Sequence, residues 1–403
     1  MHPELITLPG GFSIKTYGFF MMVGFLSGVW LAMRRAQRVK ADPDVVLDIS
    51  LLCLIFGVGG ARIFYVVHYW KSQFADAANP LLAIIDITAG GLEFLGGFLG
   101  AVAATAVFAA WKKHSLRLYL DILAPGAMWG LAWGRVGCFF NGCCFGAICA
   151  TGPAQQPALP WAISFPYGSP AHLRHWEDRK VTIPAELLFT SKEALRPWIV
   201  PDTQLNAPVE KREALFRRIE ELSQSPKTAA KAGGPDAPDA QRIKHELEAA
   251  QKQAKNDFGP LLLAQRFPSR VNPQRTTSVS ELEQLADKCH SLPVQPTQLY
   301  AAVGAMLLSI LLAAIFHRRK RHGVVIGWLL LLYSVQRTLE ETIRADNPHD
   351  VAGLTISQII SASLFLLGIV YLLVLYKKMP ERSPYALASQ SEPGVPARRE
   401  PGP

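Results

Sequence analysis

Tyr333, Arg337, Glu341 and Arg344 fall at i, i+4, i+8 and i+11 in the stretch YSVQRTLEETIRADN, a spacing that lines all four along one helix face. A guanidinium is a planar fork of donors that fits a phosphate, and a flanking carboxylate can hold that fork in place. Arg135 stands in GRVGCFFNGCCFG, among Gly134, Gly137, Gly142 and Gly146, glycines that permit tight turns and close approach of a ligand. Two arginines from different helices at one depth point to a phosphate site. The plainer alternative is interfacial anchoring with ion pairs internal to each helix. Arg62 lies inside a third apolar run, GVGGARIFYVVHYW, where an ionisable group must face a partner or a polar cavity. His68, near the end of the same run, reads as an interfacial residue.

Cys138, Cys143, Cys144 and Cys149 form a C-x4-CC-x4-C pattern. It lacks the C-x2-C spacing common in zinc sites, so neither a metal nor another cofactor is expected. In an oxidising compartment such a loop forms disulfides, and a reactive thiol is the sharper alternative.

These groups are set in long apolar runs. A spanning helix needs about 20 mostly apolar residues, and seven segments approach that: 17–33, 45–70, 91–111, 119–133, 298–316, 323–339 and 354–376. Basic clusters follow every second run: Arg34, Arg35, Arg38 and Lys40, then Lys112, Lys113 and Arg117, then Arg318 to Arg321, then Lys377 and Lys378. By the positive-inside rule this alternation sets the N-terminus outside and the C-terminus in the cytoplasm. The expected fold is therefore an all-α polytopic membrane protein of about seven transmembrane helices with an extracytoplasmic head region. The segment before the first run has no basic n-region and reads as a short interfacial lead, not a cleaved leader. The net charge of +9 sits beside the apolar runs, so anionic lipid of the bilayer is its partner and nucleic acid is not.

Five regions follow. Residues 1–136 form a membrane block with spans one to four, and 137–189 an extracytoplasmic head. Residues 190–292 form a polar insertion of amphipathic helices and linker, with Leu215, Ile219 and Leu222, and then Ile243 and Leu247, at helical spacing. The linker SPKTAAKAGGPDAPD lies between them. Residues 293–379 form a second membrane block with spans five to seven, and 380–403 a Pro-rich disordered cytoplasmic tail.

The chain resembles the bacterial prolipoprotein diacylglyceryl transferases. The resemblance rests on IKTYGFFMMVGF, GARIFYV, GGLEFLGGFLG, Asp121 with Pro125, GRVGCFFNGCCFG, QPTQLY, the Tyr333–Arg344 stripe and LTISQIIS. It covers roughly residues 2–166 and 293–363 but not the charged insertion. It implies a multi-pass enzyme of the bacterial inner membrane. Such an enzyme moves the diacylglyceryl group of phosphatidylglycerol onto the lipobox cysteine thiol of a prolipoprotein signal peptide and releases glycerol phosphate.

Carried over, Arg135 and Arg337 bind phosphate and stabilise the departing charge, Glu341 orients Arg337, and Arg344 lies behind it. Tyr17, Arg62 and Tyr333 line the lipid site, and Asn141, Gly142 and Gly146 shape the loop beside it. The sequence departs from the family at three places. Leu95 replaces a histidine proposed as base, Cys138 and Cys143 replace an Asn and a Glu, and no acidic residue follows Tyr300. Glu93, two residues from Leu95 and on the same side of an extended loop, is then the nearest replacement base, with Glu340 and His172 behind it. The retained arginines favour a transferase. The lost histidine leaves open a relative acting in thiol–disulfide or other thiol-dependent chemistry, or a non-catalytic lipid-binding scaffold.

Overall fold

The computed structural model describes residues 4–7, 13–70, 74, 84–85, 91–151, 156–189, 198–205, 212–223, 238–266, 278–345 and 354–378. The linker 225–237 and the tail 380–403 lie outside the described residues. The chain divides into two compact units, residues 147–295 and, around them in sequence, 2–146 with 296–403.

The second of these is the helical membrane unit. Its long helices are α1 (Thr16–Arg38), α2 (Pro43–His68), α3 (Phe94–Trp111) and α4 (Leu116–Asn141), preceded by a hairpin of β1 (Glu4–Thr7) and β2 (Ser13–Lys15). After the other unit come α9 (Thr297–Arg318), α10 (Val324–Ile343) and α11 (Ile356–Lys378). In hydrocarbon each backbone N–H and C=O must be satisfied within the segment, so apolar runs of this length become helices. Among the described residues, α1, α2, α9 and α11 are long and apolar enough to cross a membrane on length and composition alone. The apolar stretch of α3 is shorter, Leu95–Trp111, and α4 and α10 carry Asp121, Arg135, Arg337, Glu340 and Glu341.

Helix pairs approach closely through small residues: α1 packs on α4, and α2 on α3. A Cβ on Gly28 would stand 2.7 Å from the Gly126 carbonyl oxygen, and one on Gly60 would collide with the Gly96 carbonyl. Such contacts substitute van der Waals packing for the hydrophobic drive that lipid cannot supply. The apolar core, with Ile49, Leu118, Ile122, Leu312, Phe316 and Val325, lies where α4 and α10 begin. There Asp121 of α4 accepts hydrogen bonds from the backbone N–H groups of Gly323 (2.7 Å) and Ile326 (3.0 Å). It thereby caps α10, whose own N-cap residue is a glycine at φ 96° with no side chain to do so. Arg319 faces the same carboxylate at 3.4 Å, both side chains fully buried.

The other unit, residues 147–295, contains α5 (Pro170–Glu177), α6 (Asp202–Leu205), a helix over 212–223, α7 (Pro238–Arg266) and α8 (Val279–Asp287). Two short hairpins accompany them: β3 (Ala150–Thr151) with β4 (Gln156–Pro157), and β5 (Leu188–Phe189) with β6 (Trp198–Ile199). Ser278 and Glu281 form a reciprocal capping box that starts α8. The sequence reading divides this region into a head and a separate insertion. The structure instead packs Leu205, Phe258, Leu261 and Leu282 into one core with Tyr167, Ile183, Leu187 and Val200. Helical periodicity reveals an apolar face but not the distant segment that covers it.

His172 is buried in this unit, with neither ring nitrogen hydrogen-bonded among the described residues. Burial, then the charges of His175 and His290, push its pKa from 6.5 down to about 4. A histidine depressed by folding contributes stability above its unfolded pKa and loses that contribution as pH falls. Amide-exchange protection of 147–295 is therefore expected to drop between pH 6.5 and about 4. A His172→Phe variant should show a flatter profile over that range. An unchanged profile in that variant would refute the assignment.

Candidate functional site

The end of α4 and the end of α10 bring the predicted arginines together. Arg337 Nη2 lies 2.8 Å from Glu341 Oε2, and Arg344 Nη1 lies 3.8 Å from the same oxygen. The side chains are 12% (Arg337), 10% (Arg344) and 0% (Glu341) exposed, so the helical i, i+4 and i, i+3 pairs here form a buried triad. Ser357, from α11, accepts a further bond from Arg337 Nη2 at 2.8 Å.

Arg135 meets this group through Glu340, which sequence reasoning left among the weaker base candidates. Glu340 Oε2 sits 3.9 Å from Arg135 Nη2 and 3.8 Å from Arg337 Nη1, while its other oxygen accepts from Gln336 at 2.7 Å. Its signal was present in the sequence as the i, i+4 spacing from Gln336. Three arginines against two glutamates leave a net positive charge in a desolvated place, which suits an anion. Arg135 Nε and Arg337 Nη1 are buried and make no hydrogen bond among the described residues. These are donors held ready for acceptor oxygens. Tyr333 lies within electrostatic reach of both arginines.

The glycine-rich segment after α4 is folded by its helix end. Gly142 takes φ 71°, its N–H bonds the Phe139 carbonyl (3.2 Å), and the Cys143 N–H bonds the Cys138 carbonyl (3.2 Å). This is a Schellman motif, in which the residues at the two ends of the turn come into contact. Here those residues are cysteines. Cys138, Cys143 and Cys144 place their sulfurs within 4.8 Å of one another. Cys144 itself holds φ 60°, a strained conformation for a side-chain-bearing residue.

The turn is fastened from α9, where Gln298 Nε2 donates to the Cys143 carbonyl (2.8 Å) and Thr297 Oγ1 to that of Cys144 (2.7 Å). Gly146 forms an antiparallel bridge with Arg344, and the Ala345 N–H reaches the Phe145 carbonyl at 3.4 Å. Tyr17 lies against Gly137, where an added Cβ would stand 3.1 Å from the ring, and within electrostatic reach of Arg135 and the three thiols. Asn141 is exposed at the helix end.

The disulfide expectation is not met among these residues, since all six cysteines are free thiols. Nor do four cysteines share a loop. Cys138 belongs to the last turn of α4, and Cys149 to the other unit. The thiol of Cys144, beyond the end of α4, is held well below the usual range. Hydrogen bonds from Cys138 and Cys143 are the main cause, Arg344 and Arg135 adding to them against desolvation.

Two predicted site residues lie elsewhere in the unit. Arg62 donates from Nε to the Ile84 carbonyl and from Nη1 to that of Gly91, each at 2.9 Å. That gives it a place pinning the segment before α3, not a place among the arginines. Glu93, the residue preceding α3, pairs with His68 at 2.9 Å, and its Oε2 is buried without a hydrogen bond. No hydrogen bond or ion pair among the described residues joins Glu93 to Arg135, Arg337 or Glu341. Leu95 is exposed on α3. His172 belongs to the other unit.

A groove between α9 and α10 opens beside this cluster, with a volume of about 470 Å³. Leu307, Leu311, Leu332, Val335 and Leu339 line it, and Gln336 and Glu340 are its polar members.

Residues 3–205 and 245–374 match the family described as prolipoprotein diacylglyceryl transferase. A phosphatidylglycerol–prolipoprotein diacylglyceryl transferase of Rhodopirellula baltica is 35% identical over 167 residues, 41% of this chain and 32% of that protein. The protein of the same name from Photobacterium profundum is 36% identical over 42% of this chain and 59% of its own length. That of Bdellovibrio bacteriovorus is 24% identical over 92% of both chains. The chain thus spans under two thirds of the length of the first two relatives.

Proposed function

Because the chain belongs to the prolipoprotein diacylglyceryl transferase family, we propose that it moves the diacylglyceryl group of phosphatidylglycerol to the thiol of a lipobox cysteine. The observation that carries this reading is the convergence of Arg135 and Arg337, each with a buried donor not engaged in a hydrogen bond among the described residues. The acceptor sulfur attacks the glyceryl carbon that bears the phosphate. A thioether C–S bond forms, the C–O bond to phosphate breaks, and glycerol phosphate leaves with the electron pair. Charge gathers on the leaving phosphate, where preorganised donors in a dry site act most strongly. Glu341 fixes the fork of Arg337, and Glu340 shares the two arginines until a phosphate takes its place. The thiol proton passes to solvent, since Glu93, held by His68 at 2.9 Å, stands apart from this cluster among the described residues. The acyl chains lie in the groove between α9 and α10, open to lipid from the side.

The same reading sets seven spans in the bacterial inner membrane, with the N-terminus outside and the C-terminus cytoplasmic. Residues 147–295 then form the outer unit that meets the prolipoprotein signal peptide. The alternation of basic clusters supports that orientation.

The purified protein in detergent, given labelled phosphatidylglycerol and a lipobox peptide, should release glycerol phosphate and yield a thioether-modified peptide. Absence of turnover by folded protein, with a family member active alongside, would overturn the reading. It would favour thiol-dependent chemistry instead, the reading to which the three clustered thiols lend support.

A further inference from the structure

The three thiols at the end of α4 are not used in the transfer just described, and Leu95 offers no proton acceptor. We propose that Cys138, Cys143 and Cys144 hold a thiolate-bound divalent metal, zinc by its chemistry, whose open fourth position takes the acceptor thiol. This rests on the transferase reading for the identity of that acceptor.

The geometry suits such an ion. Sulfurs bound tetrahedrally at about 2.3 Å from zinc stand about 3.8 Å apart, and these three already lie within 4.8 Å of one another. Cys143 and Cys144 are fastened through their carbonyls by Gln298 and Thr297, which holds the backbone of both ligands in place. The C-x4-C spacing looked unsuited to a metal because the sequence alone does not show the Schellman turn that folds it back. Soft thiolate donors select zinc over magnesium or calcium, and three protein ligands with a vacant position characterise catalytic zinc.

Zinc with three thiolates carries one net negative charge. Arg135 and Arg344, both within electrostatic reach of Cys144, offset it. An acceptor thiol entering the fourth position loses its proton to water and remains a nucleophilic thiolate. It then attacks carbon as before, and its thioether product is a weak ligand that leaves. A metal at this place thus supplies the thiol activation that the missing histidine would have given, beside the arginines that stabilise the leaving group.

The test uses cobalt(II) as a spectroscopic probe on the reduced, metal-stripped full-length protein in detergent. Expected are thiolate-to-cobalt absorption, saturation at one equivalent per chain, and displacement by zinc. Cys138→Ser and Cys143→Ser should each lose this signal, whereas Cys149→Ser should keep it. A lipobox peptide with a free cysteine should shift the ligand-field bands, and its serine counterpart should not. Absent bands, bands that survive both the Cys138 and the Cys143 substitution, or bands blind to the cysteine peptide would overturn the proposal. The failures are separable: no cobalt signal with intact glycerol phosphate release sinks the metal alone. A full cobalt response without release in any metal state counts against the transferase reading.

Discussion

Arg337→Ala is expected to reduce glycerol phosphate release by about 10²–10³-fold, the loss typical when one preorganised donor to a developing oxyanion is removed. The residue is central by position: it contacts Glu341, Glu340 and Ser357, and one of its nitrogens makes no hydrogen bond among the described residues. Alanine also removes the guanidinium that stands 2.8 Å from the buried Glu341, so Arg337→Lys is the companion variant. Lysine restores the charge without the fork and should recover only a small part of the rate, because bidentate geometry is lost. Single-turnover release from labelled lipid, with membrane insertion checked by fractionation, decides the matter. Wild-type release by inserted Arg337→Ala protein would remove the phosphate-site argument.

Asp121→Ala should damage the fold more than any change at the arginine cluster. The carboxylate caps α10 and faces Arg319, whose guanidinium lies 3.5 Å from the Phe316 ring centroid. Removing one partner of a buried pair strands the other charge, at a cost of about 3–5 kcal/mol. The capping bonds go as well. A fall in the thermal midpoint in detergent is the readout, together with partial recovery in Asp121→Ala/Arg319→Met, which removes the stranded charge. An unchanged midpoint in the single variant would show that the pair does not hold the two helices.

Local arithmetic in the sequence already contained much of this. The apolar runs locate several of the long helices: 17–33 lies inside α1, Thr16–Arg38, and 298–316 inside α9, Thr297–Arg318, whereas 119–133 stops well short of the end of α4, Leu116–Asn141. The Tyr333 stripe is an i, i+4 pattern and needs nothing beyond its own helix. What was not legible depends on partners far away in the chain. Glu340 gains its meaning from Arg135 on another helix, and Gln298 from the carbonyl of Cys143. Arg62 drew attention as an intramembrane charge, yet backbone carbonyls at Ile84 and Gly91 occupy its donors. The thiol cluster was hidden in a spacing that only the left-handed turn at Gly142 makes meaningful.

The bridge between Gly146 and Arg344, with the Phe145–Ala345 hydrogen bond beside it, ties the tips of α4 and α10. Bilayers differ in thickness, and a spanning helix answers by tilting. If α4 and α10 span the bilayer as proposed, their joining at one tip and the Asp121 cap near the opposite end of the pair make them tilt as one body. On that reading the separation of Arg135 from Arg337 is set by the protein and not by the lipid around it, and the proposed leaving group meets the same two cations in a thin membrane as in a thick one.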